Sequence, residues 1–89
     1  MQVFQGVVAY HLTTLAPGVD TVEQSLQAAG VTFTRTPLTV VWPGGRGDGV
    51  EFVLVLAARD QRVGLDLVQR LRASGIWLQV RTVDSSAPS

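Results

Sequence analysis

Residues 50–58, reading VEFVLVLAA, limit the fold more than any other part of the chain. Apolar side chains fill both parities of an extended strand there, Val53, Val55 and Ala57 on one side and Phe52, Leu54 and Leu56 on the other, with Glu51 the single charge. A strand with that pattern belongs inside a sheet, because a strand with one wet face alternates apolar and polar residues. Residues 2–12 repeat the two-sided character through Val3, Phe4, Val7, Val8, Ala9, Tyr10 and Leu12, so a second central strand is expected there. With 89 residues available, the chain has material for one modest core, and a single domain is expected over residues 1–84 with a disordered tail at 85–89.

Two helical patterns separate the strands. Asp20 and, three residues on, Glu23 have the spacing of a helix N-cap and its reciprocal partner. Val22, Leu26 and Ala29 then fall on one face, and Gly30 suits the left-handed position that closes a helix. A second helix is expected to start at Asp60, bury Val63, Leu67, Val68 and Leu71, carry Arg70 and Arg72 in its last turn and end at Gly75.

Residues 31–42 are β-rich, but Val31 and Phe33 share one parity while Leu38, Val40 and Trp42 share the other, which predicts a bulge near Thr36 and Pro37. Arg35 and Pro37 mark this strand as an edge, since proline donates nothing to a ladder. Residues 43–49, PGGRGDG, read as a flexible hairpin loop. Ile76, Leu78 and Val80 alternate with Trp77, Gln79 and Arg81 in a half-exposed last strand, and residues 84–89 offer nothing to pack.

The resulting order is β-α-β-β-α-β. SLQAAGVTF at residues 25–33 echoes RLRASGIWL at residues 70–78, as two split β-α-β units would. The expected fold class is therefore α+β: a ferredoxin-like two-layer sandwich, an antiparallel four-stranded sheet with two helices on one face. Right-handed crossovers place strands one and three in the middle of that sheet.

Composition excludes several functions. Seven Arg balance seven Asp plus Glu and lysine is absent, so no nucleic-acid partner is expected. No apolar run approaches the roughly 20 residues of a membrane-spanning helix, and no secretory pattern follows Met1, which gives a cytoplasmic expectation. Without cysteine there is no thiolate chemistry and no cysteine metal site. His11 is the only histidine and no carboxylate or nucleophile stands beside it in sequence, so no catalytic pair, metal or cofactor is expected, and the chain does not read as an enzyme. The loop at residues 13–18 lacks the arginine of a phosphate cradle. Arg46-Gly47-Asp48 matches an adhesive tripeptide in an exposed loop, a three-residue match that chance supplies readily.

The apolar excess of the third strand points to association. Two helices cover one face of a four-stranded sheet, and the other face would expose a contiguous apolar patch that monomers rarely tolerate. A homo-oligomer is expected, a dimer by preference, with Trp42, Val53, Val55 and Trp77 at the interface and Leu65 as an addition.

LAPGVDTVEQSLQAAGVTF at residues 15–33 and DQRVGLDLVQRLRASGIWLQVRTV at residues 60–83 resemble the ACT domain, a small ferredoxin-like module that binds amino acids and regulates metabolic enzymes. The resemblance implies ligand contacts at Pro17, Gly18 and Val19 with the start of the second strand at Val31, through backbone amides that can hold a carboxylate. The expected function is that of a non-catalytic regulatory or ligand-sensing module acting through homo-oligomerisation. The competing expectation is a structural adaptor whose sheet face docks a protein, with no small ligand.

Overall fold

The computed structural model describes residues 6–86. Six elements follow in the expected order: β1 (Gly6–Leu15), α1 (Val19–Ala28), β2 (Phe33–Trp42), β3 (Gly45–Ala57), α2 (Gln61–Ala73) and β4 (Leu78–Ser86). Short 3-10 turns, Ala16–Gly18 and Ala58–Asp60, lead into the two helices. The sheet runs β2-β3-β1-β4 with every neighbouring pair antiparallel, so the two strands that are apolar on both faces lie in the middle. This is the ferredoxin-like α+β arrangement that the element order implies. Val3 and Phe4, read as part of the first strand, lie outside the described residues.

The core lies between the sheet and the helices. Val8, Tyr10 and Leu12 of β1 and Val50, Phe52, Leu54 and Leu56 of β3 meet Val19, Val22 and Leu26 of α1 and Leu67, Val68 and Leu71 of α2. Each such side chain, taken from water, contributes about 1.5–3 kcal/mol before entropy is counted. Phe33 closes the β2 edge of this layer with an edge-to-face contact on Phe52, ring centroids 5.7 Å apart. Gly30 and Gly75, at φ 72° and 88°, end the two helices in the left-handed conformation that glycine adopts without strain.

Several local expectations are corrected. α1 begins at Val19, one residue before Asp20, and no side chain caps it. Glu23 instead pairs with Arg35 on β2. Ala29 is exposed, and Val19 takes the third buried position of the helix. In α2, Asp60 holds the cap position without a side-chain capping bond. Val63 is 41% exposed, and Gly64 faces the core in its place. The reason is Tyr10, fully buried beneath the helix, whose hydroxyl donates to the Gln61 carbonyl at 3.1 Å. A Cβ on residue 64 would lie 2.5 Å from two carbons of that ring, so only glycine lets helix and ring approach this closely.

No bulge interrupts β2, whose register with β3 is continuous from Phe33 opposite Leu54 to Trp42 opposite Gly45. The parity change has another origin. Phe33 lies over the helix-covered part of the sheet, whereas Leu38 stands level with the last residue of β1 and Val40 and Trp42 lie where the β2–β3 hairpin runs past it, and there the apolar side is the opposite one. The expected seven-residue loop contracts to Pro43 and Gly44, and Arg46 to Asp48 are laddered against Val41 to Thr39. β4 likewise continues beyond Val83, with Asp84, Ser85 and Ser86 opposite Val8, Val7 and Gly6.

Candidate functional site

Successive residues of a strand point to opposite faces, so the parity that fills the core also defines what the uncovered face carries. That face presents Val7, Ala9, His11, Thr13 and Leu15 from β1 and Glu51, Val53 and Val55 from β3, with Gln79, Arg81 and Val83 from β4. No helix lies over it, and Val7, Val55 and Val83 are 42%, 57% and 44% exposed at one end. At the other end the rings of Trp42 and Trp77 pack at a tilt of 45° with centroids 6.3 Å apart. Glycines make room for the first of these: a Cβ at Gly44 would lie 3.1 Å, and one at Gly47 3.6 Å, from the Trp42 indole.

Between the two apolar ends the face turns polar. The ladder places Thr13 between Glu51 on β3 and Gln79 on β4, and His11 between Val53 and Arg81. Together His11, Thr13, Glu51, Gln79 and Arg81 line a depression of about 180 Å³. The His11 Nδ1 lies 3.7 Å from the Glu51 carboxylate and 3.4 Å from an Arg81 guanidinium nitrogen. An unprotonated Nδ1 accepts from Arg81 and repels Glu51; a protonated one donates toward Glu51 and repels Arg81. One ring nitrogen thus stands between two opposite charges and serves one of them at a time.

No carboxylate stands beside His11 in the sequence, and the fold supplies one from the adjacent strand. The signal lay in parity, since every polar member of the group has the parity of the uncovered face. What was missing was the register that sets Glu51 opposite Thr13. Among the described residues, no three His, Asp or Glu side chains gather into a metal-binding group. No helix there is long and apolar enough to cross a membrane.

The four residues read as interface anchors, Trp42, Val53, Val55 and Trp77, share the uncovered face. The four read as ligand contacts are not gathered in the same way. Pro17 and Gly18 form the turn before α1, and Val19 is buried in the core. Val31 follows the far end of α1, and a ten-residue helix spans about 15 Å. Gly18 is itself a packing position: a Cβ there would lie 2.6 Å from the Thr14 hydroxyl and 3.4 Å from Ile76. That hydroxyl donates to the Trp77 carbonyl at 2.9 Å, tying the end of β1 to the start of β4.

A wider groove of about 820 Å³ runs between the helices, lined by Ala28, Ala29, Val63 and Leu65 with Arg62 and the paired Asp66 and Arg70 on its rim. It lies on the opposite layer from the His11 group, and Leu65, expected to add to the sheet interface, points there instead.

No family model and no curated protein matches the sequence. Solved structures match the fold. CPII, a nitrogen regulatory PII-like protein from Thiomonas intermedia bound to ADP, AMP and bicarbonate, superposes with a TM-score of 0.73 at 11% identity, over 94% of this chain and 90% of that one. A PII-like signalling protein from Thermus thermophilus gives 0.69 at 11% identity, over 97% and 92%. A DUF3240-family protein from Shewanella baltica gives 0.65 at 14% identity, over 100% and 94%. Likeness at this identity is a likeness of fold.

Proposed function

We propose that this chain is a non-catalytic, cytoplasmic regulatory module that senses a small ligand and acts by self-association through the uncovered face of its sheet. One observation carries the reading: the face opposite the helices has apolar ends, with Val7, Val55 and Val83 at one and the Trp42–Trp77 pair at the other, around a polar centre. Burial of such a face contributes roughly 25 cal/mol per Å² of apolar surface, and a second copy presents the same surface in return. The regulatory part of the reading is supported by proteins of the same fold, among them CPII with its ADP, AMP and bicarbonate. The turn at Pro17, Gly18 and Val19, with Val31, supplies the ligand contacts that the ACT-like resemblance implies.

Thermal unfolding at several protein concentrations, with and without ADP, AMP and bicarbonate, tests the proposal. Self-association makes the midpoint rise with concentration, and Val55→Asp removes that dependence. A bound ligand at about 100 times its Kd adds roughly 2.7 kcal/mol. A midpoint that rises with concentration and ignores every compound supports the adaptor in place of the sensor. A midpoint independent of concentration overturns self-association.

A further inference from the structure

We propose that the depression formed by His11, Thr13, Glu51, Gln79 and Arg81 is a binding site for a small oxyanion that carries its own hydrogen-bond donor next to the charge, the chemistry shared by bicarbonate and the short α-hydroxy acids. This deepens the sensing reading by assigning it a ligand site on the sheet, apart from the turn at Pro17. Three observations carry it. The first is placement: the group occupies the middle of a face that is apolar at both ends, where a surface built for contact alone would gain by being apolar as well.

The second is the unresolved competition at His11. Its Nδ1 is approached by Arg81 at 3.4 Å and by Glu51 at 3.7 Å, and whichever protonation state it takes, one of the two charges faces the wrong end of a dipole. A ligand that offers an anionic oxygen to Arg81 and an O–H to Glu51 satisfies both charges at once, whereas a simple carboxylate satisfies the arginine and places a second negative charge beside Glu51. The third is size and supply of partners. About 180 Å³ admits a molecule of a few heavy atoms, and the Thr13 hydroxyl and the Gln79 amide add a donor and an acceptor across one rung of the ladder.

His11 is the only histidine in the chain, so its imidazole NMR signals report on the pocket. Glycolate, bicarbonate, acetate and chloride are titrated against the full chain at fixed pH and ionic strength. The expected result is a saturable shift of the His11 signals with glycolate and bicarbonate, with acetate about ten-fold weaker for want of the donor and chloride inactive. Arg81→Gln abolishes the shift. Glu51→Gln brings acetate to within about three-fold of glycolate, because the amide no longer repels a bare carboxylate. Both positions lie on the solvent side of the sheet, and circular dichroism confirms that the variants fold. The proposal is overturned by equal responses to acetate and glycolate, by a shift that survives Arg81→Gln, or by no saturable shift at all. A response confined to the amides of Gly18 and Val19 also overturns it while leaving the sensing reading in place. Loss of concentration-dependent melting in Val55→Asp with the glycolate response intact separates the site from self-association.

Discussion

Gly64→Ala sets helix propensity against packing, and the structure decides the outcome. In an exposed helix the exchange would gain about 1 kcal/mol, because alanine has less backbone entropy to lose than glycine. Here the new methyl would lie 2.5 Å from two carbons of the Tyr10 ring and 3.0 Å from its hydroxyl. Carbon atoms rest about 3.5–4.0 Å apart, so ring or helix must retreat by roughly 1 Å. Tyr10 has no exposed surface and therefore no free space to swing into, and its bond to the Gln61 carbonyl resists the shift. Overpacking of this kind costs about 1–3 kcal/mol, and a strained hydrogen bond adds about 1 kcal/mol. After the propensity gain is subtracted, Gly64→Ala is expected to destabilise the fold by about 1–3 kcal/mol. At about 4–8 °C per kcal/mol for a domain of this size, Tm falls by roughly 5–20 °C. Urea unfolding followed by far-UV circular dichroism, at two protein concentrations so that association is held apart from folding, measures the loss. The mechanism is checked in the Tyr10→Leu background, where the ring is gone and Gly64→Ala should be neutral or stabilising. A single variant as stable as the parent, or the same loss in both backgrounds, refutes the reasoning.

Other outcomes follow from the contacts described above. Thr14→Val removes the bond to the Trp77 carbonyl and is expected to cost about 1–2 kcal/mol by urea unfolding, with Thr14→Ser close to the parent. Gly18→Ala pushes a methyl to 2.6 Å from the same hydroxyl and should lower stability by about 1–3 kcal/mol. A change at this glycine is thus a test of packing before it is a test of any ligand. Trp42→Ala should expose Trp77 and shift its fluorescence to the red, and a double-mutant cycle with Trp77→Ala should give a coupling of about 0.5–1.5 kcal/mol.

The sheet and its order were legible because they rest on strand parity and helix periodicity, which the chain displays plainly. β1 and β3 are apolar on both faces and occupy the centre, while the strands with Arg35, Pro37 and Arg81 lie at the edges. Helix faces were legible only in part. Val63 has the spacing of a buried residue, yet the bulk of Tyr10 turns Gly64 inward, and that contact joins residues from distant elements that no local pattern connects. The parity change in β2 reads as a bulge because a change of apolar side has two causes, a slipped register or a change in what lies above the strand, and sequence records both alike. The polar group on the sheet was hidden for a related reason. His11, Glu51 and Arg81 each show the right parity, but they meet only once the two antiparallel registers of β1 are known.

Those registers also govern the order in which the chain can complete itself. β1 lies in the middle of the sheet, yet its two partners come late, β3 from beyond the first helix and β4 from the end of the described chain, with Gly6 opposite Ser86. During synthesis β1, α1, β2 and β3 can assemble while one edge of β1 stays unpaired along its whole length, a row of free N–H and C=O groups of the kind that templates aggregation. In the finished fold the bond from the Thr14 hydroxyl to the Trp77 carbonyl holds the start of β4, from which the strand runs along β1 to Ser86 opposite Gly6. Closing so long a loop costs little extra in stability but much in time, since non-local pairing slows folding. Changes that weaken the grip at Thr14 should therefore lengthen the life of an open-edged intermediate, and with it the yield lost to aggregation, by more than their effect on the finished fold suggests.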